Sequence, residues 1–247
     1  MSDDMSVVRH TVAPVEITTV AQWAETLAVF DLETTGIDVV TSRIVSANVS
    51  LLDGRGDVVR RSDWLADPGV PIPEQATAVH GITTERARAE GRPAPLVVAE
   101  IVAALRSYFD AGIPVVVYNA PYDLSLLFHE AERHRVAPLV NPFPVIDPLV
   151  IDKAVDRYRK GKRTLVAAAF HYGVELTDAH DAGADAIAAG RVAQAIARTH
   201  SRALDVDAIE LHRLQESWCE DQAVSFQDYM RRNRDATFVA STGWPVR

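Results

Sequence analysis

The chain has 247 residues, of which 48% are hydrophobic and 24% are charged. This length suits one large α/β domain with a short appendage, and this composition supports a sizeable core and excludes global disorder. The net charge of −9 excludes a protein that holds nucleic acid by bulk positive charge, but not an enzyme whose bound metal ions supply the cations. Its single cysteine excludes a disulfide framework and a thiolate zinc site. No apolar run approaches the ~18 residues of a membrane span and no signal-peptide pattern is present, so we expect a cytoplasmic protein without membrane contact.

The sequence pattern predicts mainly strands in the first part of the chain. A polar lead-in, residues 1–25, includes a short helix around 20–25. A buried strand follows at 27–32, where a short apolar run ends in acids. Two β-rich runs, 43–52 and 57–64, flank an Asp/Gly-rich turn and predict an antiparallel hairpin that extends the first strand into a meander.

The remainder alternates helices with strands. A helical turn is predicted near 74–79, strands at 113–118 and 142–147, and helices at 93–109, 121–135, 148–158, 164–172, 181–200 and 205–233. This order is typical of an α/β protein with a five-stranded mixed sheet flanked by helices on both faces. We divide the chain into the lead-in (1–25), one domain (26–200) and a helical C-terminal tail (201–247) that packs on the domain as a helix pair.

Two acids end the first strand. Side chains two apart on a strand share a face, so Asp31 and Glu33 project together. Paired carboxylates repel one another unless a cation lies between them, and oxygen ligands of this kind suit divalent metals. Taken alone, an Asp-x-Glu is more often a solvated strand end, but the apolar run before it places this pair on a central strand.

Two further segments carry acids at predicted junctions. Asp123 lies in the first turn of a helix that follows a buried strand, where an acid is also favoured as a helix cap. Asp185 lies inside a later helix, five residues after His180. These two side chains can face one site only if His180 lies on the loop before the helix, and Asp181 is then a capping or a solvated acid and not a ligand.

Together, these segments predict a metal site. Asp31, Glu33, Asp123 and Asp185 are four carboxylates on three elements that a mixed sheet brings together, and such a set suits two Mg²⁺ or Mn²⁺ ions in phosphodiester hydrolysis. A neutral imidazole, here His180, is the natural general base for the attacking water near pH 7.

The motif order FDLETTG, NAPYD and HDAGAD, with VHGIT between the first two, resembles the DEDDh branch of 3′–5′ exonucleases. This branch includes the proofreading epsilon subunit of bacterial DNA polymerase III. The resemblance spans residues 26–200 and implies a ribonuclease-H-like fold. It implies that the metal ligands are Asp31, Glu33, Asp123 and Asp185, that His180 is the general base, and that substrate contacts fall on Leu32, Thr34, Thr35, His80, Ile82 and Asn119.

The leading hypothesis is therefore a 3′–5′ exonuclease that needs Mg²⁺ or Mn²⁺, acts on DNA 3′ ends and releases nucleoside 5′-monophosphates. The alternatives are an RNA-trimming 3′–5′ exoribonuclease and a non-catalytic module that binds a polymerase. Association with a DNA polymerase or a sliding clamp is a further hypothesis, since residues 222–226 faintly resemble clamp-binding peptides, although helical spacing favours a packed helix there.

A cluster of basic residues precedes the predicted 164–172 helix. We expect it to bind phosphates upstream of the cleaved end, with a solvated loop as the alternative. Its members are Arg157, Arg159, Lys160, Lys162 and Arg163.

Overall fold

A computed structural model describes residues 21–176 and 180–247. In these two ranges the chain forms one mixed sheet of six strands in the order β4-β3-β2-β1-β5-β6. The strands are β1 (Thr26–Thr34), β2 (Ile44–Asp53), β3 (Val58–Asp67), β4 (Arg92–Pro93), β5 (Val115–Val116) and β6 (Val145–Ile146). The α/β class and the mixed sheet with flanking helices were predicted from the sequence and are confirmed. The predicted number of strands, five, was wrong.

The sixth strand escaped prediction because it is two residues long. Arg92 and Pro93 pair in parallel with Ala66 and Asp67 at the end of β3. Gly91 makes this approach possible, since a Cβ there would lie 2.2 Å from the Ala87 carbonyl oxygen and 2.6 Å from the Ala66 carbonyl carbon. A two-residue edge strand has no hydrophobic alternation to predict it.

Eight α-helices lie within the described residues. They are α1 (Glu74–His80), α2 (Thr84–Glu90), α3 (Ala94–Asp110), α4 (Ala120–Arg133), α5 (Pro148–Val155), α6 (Leu165–Tyr172), α7 (Ala182–Thr199) and α8 (Ala208–Asn233). None of them is both long enough and apolar enough to cross a bilayer.

Three local predictions differ from the structure. The expected helix around 20–25 is a 3₁₀ turn, Gln22–Ala24, and the rest of the lead-in falls outside the described residues. Helix α2 was not predicted, because it is short and polar. The Thr83 hydroxyl caps its beginning. The expected helix pair after residue 205 is the single helix α8, since no Gly or Pro interrupts that stretch.

Two apolar clusters sandwich the sheet. Alternate residues of β1 divide between them, as the two-residue repeat of a strand requires. Phe30 and Leu32 pack with α3 and α4 on one face. Leu27 and Val29 pack with α6 and α7 on the other. Strand β1 is central, with antiparallel β2 on one side and parallel β5 on the other.

Candidate active site

The end of β1 directs two acids toward α7. Asp31 and Glu33 continue the alternation of Leu27 and Val29, which pack on the α7 face. Asp31 is half-buried and Glu33 is buried. The carboxyl end of the central strand β1 therefore places two carboxylates near the beginning of α7.

The start of α4 adds a third acid. Asn119 adopts a left-handed conformation (φ 64°) that turns the chain from β5 into the helix. The buried Asp147 carboxylate accepts hydrogen bonds from the amides of Asn119 and Ala120, each 3.0 Å long, and so fixes this turn. One turn on, Asp123 Oδ1 accepts a hydrogen bond from the Leu32 amide at 3.1 Å. That bond joins the second acidic motif to the first.

Helix α7 supplies the last acid and the histidine. It lies close to the sheet at Gly190, where a Cβ would lie 2.5 Å from side-chain atoms of both Val29 and Leu52. His180 sits on the loop before the helix with φ 72°, and its amide donates to Asp185 Oδ2 at 3.3 Å. Ligand atoms of Glu33, His180 and Asp185 lie within 4.8 Å of one another.

Asp181 takes the structural role that the sequence analysis predicted for it. Its side chain accepts a hydrogen bond from the Ala184 amide at 3.0 Å and caps α7. Asp185 does not share in this cap, and one of its carboxylate oxygens lies within 4.8 Å of ligand atoms of Glu33 and His180. The loop position of His180 is the arrangement that lets these two residues, five apart in sequence, face one site.

The electrostatics of the site fit divalent cations. Burial, followed by the nearby charges of Asp123 and Glu33, raises the pKa of Asp31 well above its usual value. Burial and the charges of Asp185 and Asp181 raise the pKa of Glu33 to about 8. Burial also raises the pKa values of Asp123 and Asp185.

One carboxylate oxygen in the site lacks a partner. Asp185 Oδ1 is buried and has no hydrogen-bond donor within the described part of the chain. A buried acceptor of this kind is costly unless a donor or a cation meets it. The all-oxygen donor set and this orphaned oxygen both match Mg²⁺ or Mn²⁺.

The predicted substrate residues on β1 and directly after it make contacts within the fold. The Leu32 side chain is packed in the core, so only its backbone borders the site. The Thr34 hydroxyl donates to the Gly36 carbonyl at 2.8 Å and contacts the Tyr122 hydroxyl. The Thr35 hydroxyl accepts from the Arg43 amide at 2.9 Å. These contacts shape the loop after β1.

Of the other predicted substrate residues, His80 and Ile82 line an open region and Asn119 does not. A cleft of about 330 Å³ is lined by His80 and Ile82 on one side and by His180 on the other. Burial, together with nearby His180, lowers the pKa of His80, and its Nδ1 accepts from the Ile82 amide at 3.1 Å. Asn119 is exposed at the start of α4.

Three residues near the site were missed from the sequence. Trp64 and Arg86 line the cleft, and the Tyr122 hydroxyl donates to the Gly36 carbonyl at 2.7 Å. Tyr122 precedes Asp123, so its place in the second motif could have indicated it. Trp64 and Arg86 come from β3 and α2, and no sequence pattern connects them to the acids.

The expected phosphate-binding cluster is divided by the structure. Arg159 and Arg163 face inward and pair with the buried carboxylate of Asp152. Arg157, Lys160 and Lys162 are exposed. Two of the five predicted cations therefore serve the fold, because a buried acid on α5 needs them.

Solved structures share this fold. Escherichia coli exonuclease I in complex with a dA16 oligonucleotide matches 73% of this chain and 42% of its own, with a TM-score of 0.60 and 20% sequence identity. Exonuclease I in complex with the inhibitor BCBP matches with a TM-score of 0.61, 19% identity and coverage of 73% and 43%. At this identity the likeness establishes the fold.

Curated relatives agree in sequence. DNA polymerase III PolC-type from Streptococcus thermophilus is 32% identical over 168 residues, and that from Lacticaseibacillus paracasei is 30% identical over 169. In both cases the match covers 68% of this chain and 11% of the relative, so the chain spans about a tenth of the length of these relatives.

The match to a family model places this α/β fold and its acidic motifs among the nucleases, a class of hydrolases. The chain belongs to the Exonuclease family, whose model matches residues 28–193. This membership confirms the exonuclease resemblance that the three motifs predicted.

Proposed function

We propose that this protein is a metal-dependent 3′–5′ exonuclease that removes nucleotides from single-stranded or frayed DNA 3′ ends and releases nucleoside 5′-monophosphates. The supporting observation is the meeting of Glu33, Asp185 and His180 within 4.8 Å, beside two further acids from β1 and α4. Four acids with raised pKa values, next to a histidine on a loop, form a site for hydrolysis of a charged ester.

The four carboxylates would hold two Mg²⁺ or Mn²⁺ ions: Asp31 and Glu33 from the strand, and Asp123 and Asp185 from the two helices. When bound, these ions supply the positive charge that stabilises a pentavalent phosphate and makes water more acidic. The protein keeps this donor set in place before any ion arrives, because the Leu32 amide holds Asp123 and the His180 amide holds Asp185.

His180 is assigned as the general base. Its imidazole would take a proton from water as the water oxygen bonds to phosphorus and the bond from phosphorus to the 3′ oxygen breaks. The products are a nucleoside 5′-monophosphate and a chain one nucleotide shorter with a new 3′ hydroxyl. Removal of a positioned base lowers a rate by about 10²–10⁴-fold.

DNA is favoured over RNA as the substrate, because the relatives at 30% identity or more are named as DNA polymerases and an exonuclease I structure contains a dA16 oligonucleotide. The same relatives favour association with a DNA polymerase. The segment 222–226 lies within α8, where Gln222 donates to the Val150 carbonyl at 3.0 Å, so it is not presented as an extended clamp-binding peptide.

The test is a digestion of 5′-labelled single-stranded DNA and RNA of one sequence with Mg²⁺, Mn²⁺ or EDTA. We expect a ladder that shortens from the 3′ end with either metal and no products in EDTA, with DNA cleaved faster. Faster RNA cleavage would shift the substrate class to RNA. No cleavage of either polymer with any metal would contradict the enzyme and favour the binding module.

Matched variants separate the site from its surroundings. Asp185→Asn and His180→Ala should each lose at least about 100-fold in rate. Asp181→Asn should keep most activity, because asparagine caps a helix as well as aspartate does. An active Asp185→Asn beside an inactive Asp181→Asn would show that the third motif is assigned to the wrong acid.

A further inference from the structure

The loop between α5 and α6, residues 156–164, concentrates exposed positive charge in an acidic protein. Arg157, Lys160 and Lys162 are exposed there and, within residues 21–176 and 180–247, make no ion pair with an acid. All three lysines of the chain lie between residues 153 and 162. Three cations without an acidic partner in the described part of the chain thus lie within six residues of a protein whose net charge is −9.

Two aromatic rings accompany these cations. Tyr158 and Phe170 are each 89% exposed, although burial of an aromatic side chain is normally favourable. Phe170 lies one turn after the exposed Val166 on the outer face of α6. His171 Nε2 lies 3.5 Å from Asp156 Oδ2, which places the end of α6 beside the loop.

A buried network braces the loop from beneath. The fully buried Asp152 carboxylate accepts from Arg159, from Arg163 at 2.9 Å and from the Tyr172 hydroxyl at 2.7 Å. Arg163 also donates to the Asp152 carbonyl at 2.8 Å. The exposed groups are thus presented by an ordered loop, which lowers the entropy lost when a ligand binds.

The same loop adjoins the proposed active site. The Tyr118 hydroxyl donates to the Arg163 carbonyl at 2.7 Å, and the next residue, Asn119, begins the turn into the helix that carries Asp123. On its other side the loop leads through α6 toward His180. The loop therefore contacts Tyr118, which follows β5 directly before the turn into the helix that carries Asp123.

We propose that this surface, Arg157, Tyr158, Lys160, Lys162 and Phe170, binds single-stranded nucleic acid on the 5′ side of the scissile bond. The cations contact phosphates and the two rings stack on bases, the combination by which proteins hold single strands without sequence preference. The proposal deepens the proposed exonuclease function and rests on it. At this surface the acidic protein holds the strand that it shortens.

The test measures binding of 5′-fluorescein dT20 by anisotropy in EDTA at low salt, where cleavage does not occur. We expect Tyr158→Ala and Lys160→Gln/Lys162→Gln each to weaken binding about tenfold. Tyr229→Ala and Arg213→Gln/Arg234→Gln, which change exposed residues of α8 and the segment after it, are the matched controls and should bind as the wild type does.

Salt dependence separates charge from stacking. Three phosphate contacts predict a slope of log affinity against log salt of about −2, and the double lysine variant should reduce it to about −0.7. Tyr158→Ala should leave the slope unchanged, because it removes no charge. Wild-type affinity in both test variants would overturn the proposal. So would an equal loss of affinity in the test variants and the controls, or a wild type that does not bind dT20.

Catalysis gives a second readout that distinguishes this proposal from the proposed function. The variants should raise KM for dT20 and leave turnover of a dinucleotide, too short to reach the loop, unchanged. A wild type that cleaves neither substrate contradicts the exonuclease, while the anisotropy experiment in EDTA still decides whether the loop binds nucleic acid. Equal losses on both substrates would assign these residues to the fold and overturn the proposal.

Discussion

Asp31, Glu33, Asp123 and Asp185 place negative charge in a partly buried cleft, where each charge raises the free energy of its neighbours. Burial is the main cause of the raised pKa values of all four acids, and charges of neighbouring acids raise those of Asp31 and Glu33 further. The free energy is recovered when cations bind, because the same proximity that causes repulsion then supplies several ligands at once. The metal-free protein is therefore expected to have a lower free energy of unfolding than the protein with cations bound.

This repulsion predicts that Asp31→Asn stabilises the metal-free protein and abolishes activity. In EDTA the variant should melt a few degrees above the wild type, because asparagine has no ionisable group whose charged form is disfavoured by burial and by the neighbouring acids. Saturating Mn²⁺, at about 100 times its dissociation constant, should stabilise the wild type by about 2.7 kcal/mol and the variant far less.

Thermal denaturation in EDTA and in Mn²⁺ checks this prediction. Asp57→Asn, at an exposed acid of the hairpin, is the control and should follow the wild type in both conditions. A variant that melts below the wild type in EDTA, or that keeps the full metal response, would show that Asp31 is not one of the repelling ligands.

At the scale of residues, the assignment of the four acids stays a prediction from the sequence, whereas the role expected of two cations differs from the contacts in the structure. Asp31 and Glu33 were found because their two-residue spacing on an apolar strand carries the chemistry within one short segment. Arg159 and Arg163 were misassigned because their partner, Asp152, lies on another element, and its burial is a property of the packed fold. No local pattern distinguishes a cation that faces water from one that pairs with a buried acid.

At the scale of elements, α4 owes its position to Asp147. This buried acid ends β6 and caps α5 through the Leu149 amide at 2.9 Å. It also holds the two amides that begin α4. A single carboxylate thus links two helices, one of which carries Asp123.

Asp147→Asn should destabilise the protein by about 2 kcal/mol or more and lower activity. An amide nitrogen in place of one carboxylate oxygen faces a backbone N–H that is then left buried without an acceptor. Asp207→Asn is the matched control, since Asp207 caps α8 at an exposed position where asparagine serves equally well.

Urea denaturation and steady-state kinetics test this pair of variants. The activity loss in Asp147→Asn should appear in kcat at temperatures where the variant is folded, because the start of α4 sets the position of Asp123. Equal stability of the two variants would mean that the Asp147 hydrogen bonds contribute little, and full activity would mean that they do not position α4.

Helix α8 docks on the sheet through a buried histidine. His212 Nδ1 accepts from the Val145 amide at 3.0 Å, and its ring lies between Phe143 and Trp244 at centroid distances of 4.6 and 4.8 Å. Burial lowers the pKa of His212, assisted by Arg213 and opposed by Glu216. The folded state therefore binds this proton less readily than the unfolded chain does.

The sign of the pH effect follows from that difference. Stability from neutral His212 is fully present above the unfolded pKa of about 6.5 and is lost as the pH falls through it. We expect acidification from pH 7.5 to 5.5 to lower the wild-type melting temperature more than that of His212→Asn, whose amide oxygen can still accept from Val145. Melting curves across this range check the prediction, and parallel pH profiles would contradict it.

Most elements could be predicted, and those that were missed, β4 and α2, are short. The strands of the meander and helices α3, α4 and α7 have enough hydrophobic repeats to show their period. Strands β5 and β6 are two residues long, and their parallel pairing depends on crossovers that the local sequence does not encode. The helix pair expected after residue 205 is one continuous helix, α8, and no Gly or Pro interrupts it.

At the scale of the whole molecule, α8 and the residues after it contact both faces of the sheet. Trp244 is packed in the cluster beneath α3 and α4, and its indole N–H donates to Asp147 at 3.4 Å. The Arg247 amide donates to the buried Ser125 hydroxyl on α4 at 2.8 Å. Trp218 of α8 packs against the clusters on both faces of the sheet.

The segment 201–247 therefore contacts both faces of the sheet. The division into a domain at 26–200 and a tail at 201–247 stays a prediction from the sequence, and these contacts predict that the two parts unfold together. Tryptophan fluorescence reports both faces of the sheet and far-UV circular dichroism reports the helices, so the two signals should give one coincident transition.

Trp244→Ala makes this cooperativity testable. Loss of a largely buried indole should cost about 3 kcal/mol, or about 6–12 °C in a chain of this size, and should shift the single transition of the whole protein. Tyr229→Ala, on the exposed side of α8, should shift it little. If Trp244→Ala instead melts α8 in a separate early step and leaves the transition of the sheet unchanged, the tail is an independent unit. The contacts at Asp147 and Ser125 then contribute nothing to the stability of the domain that holds the acids.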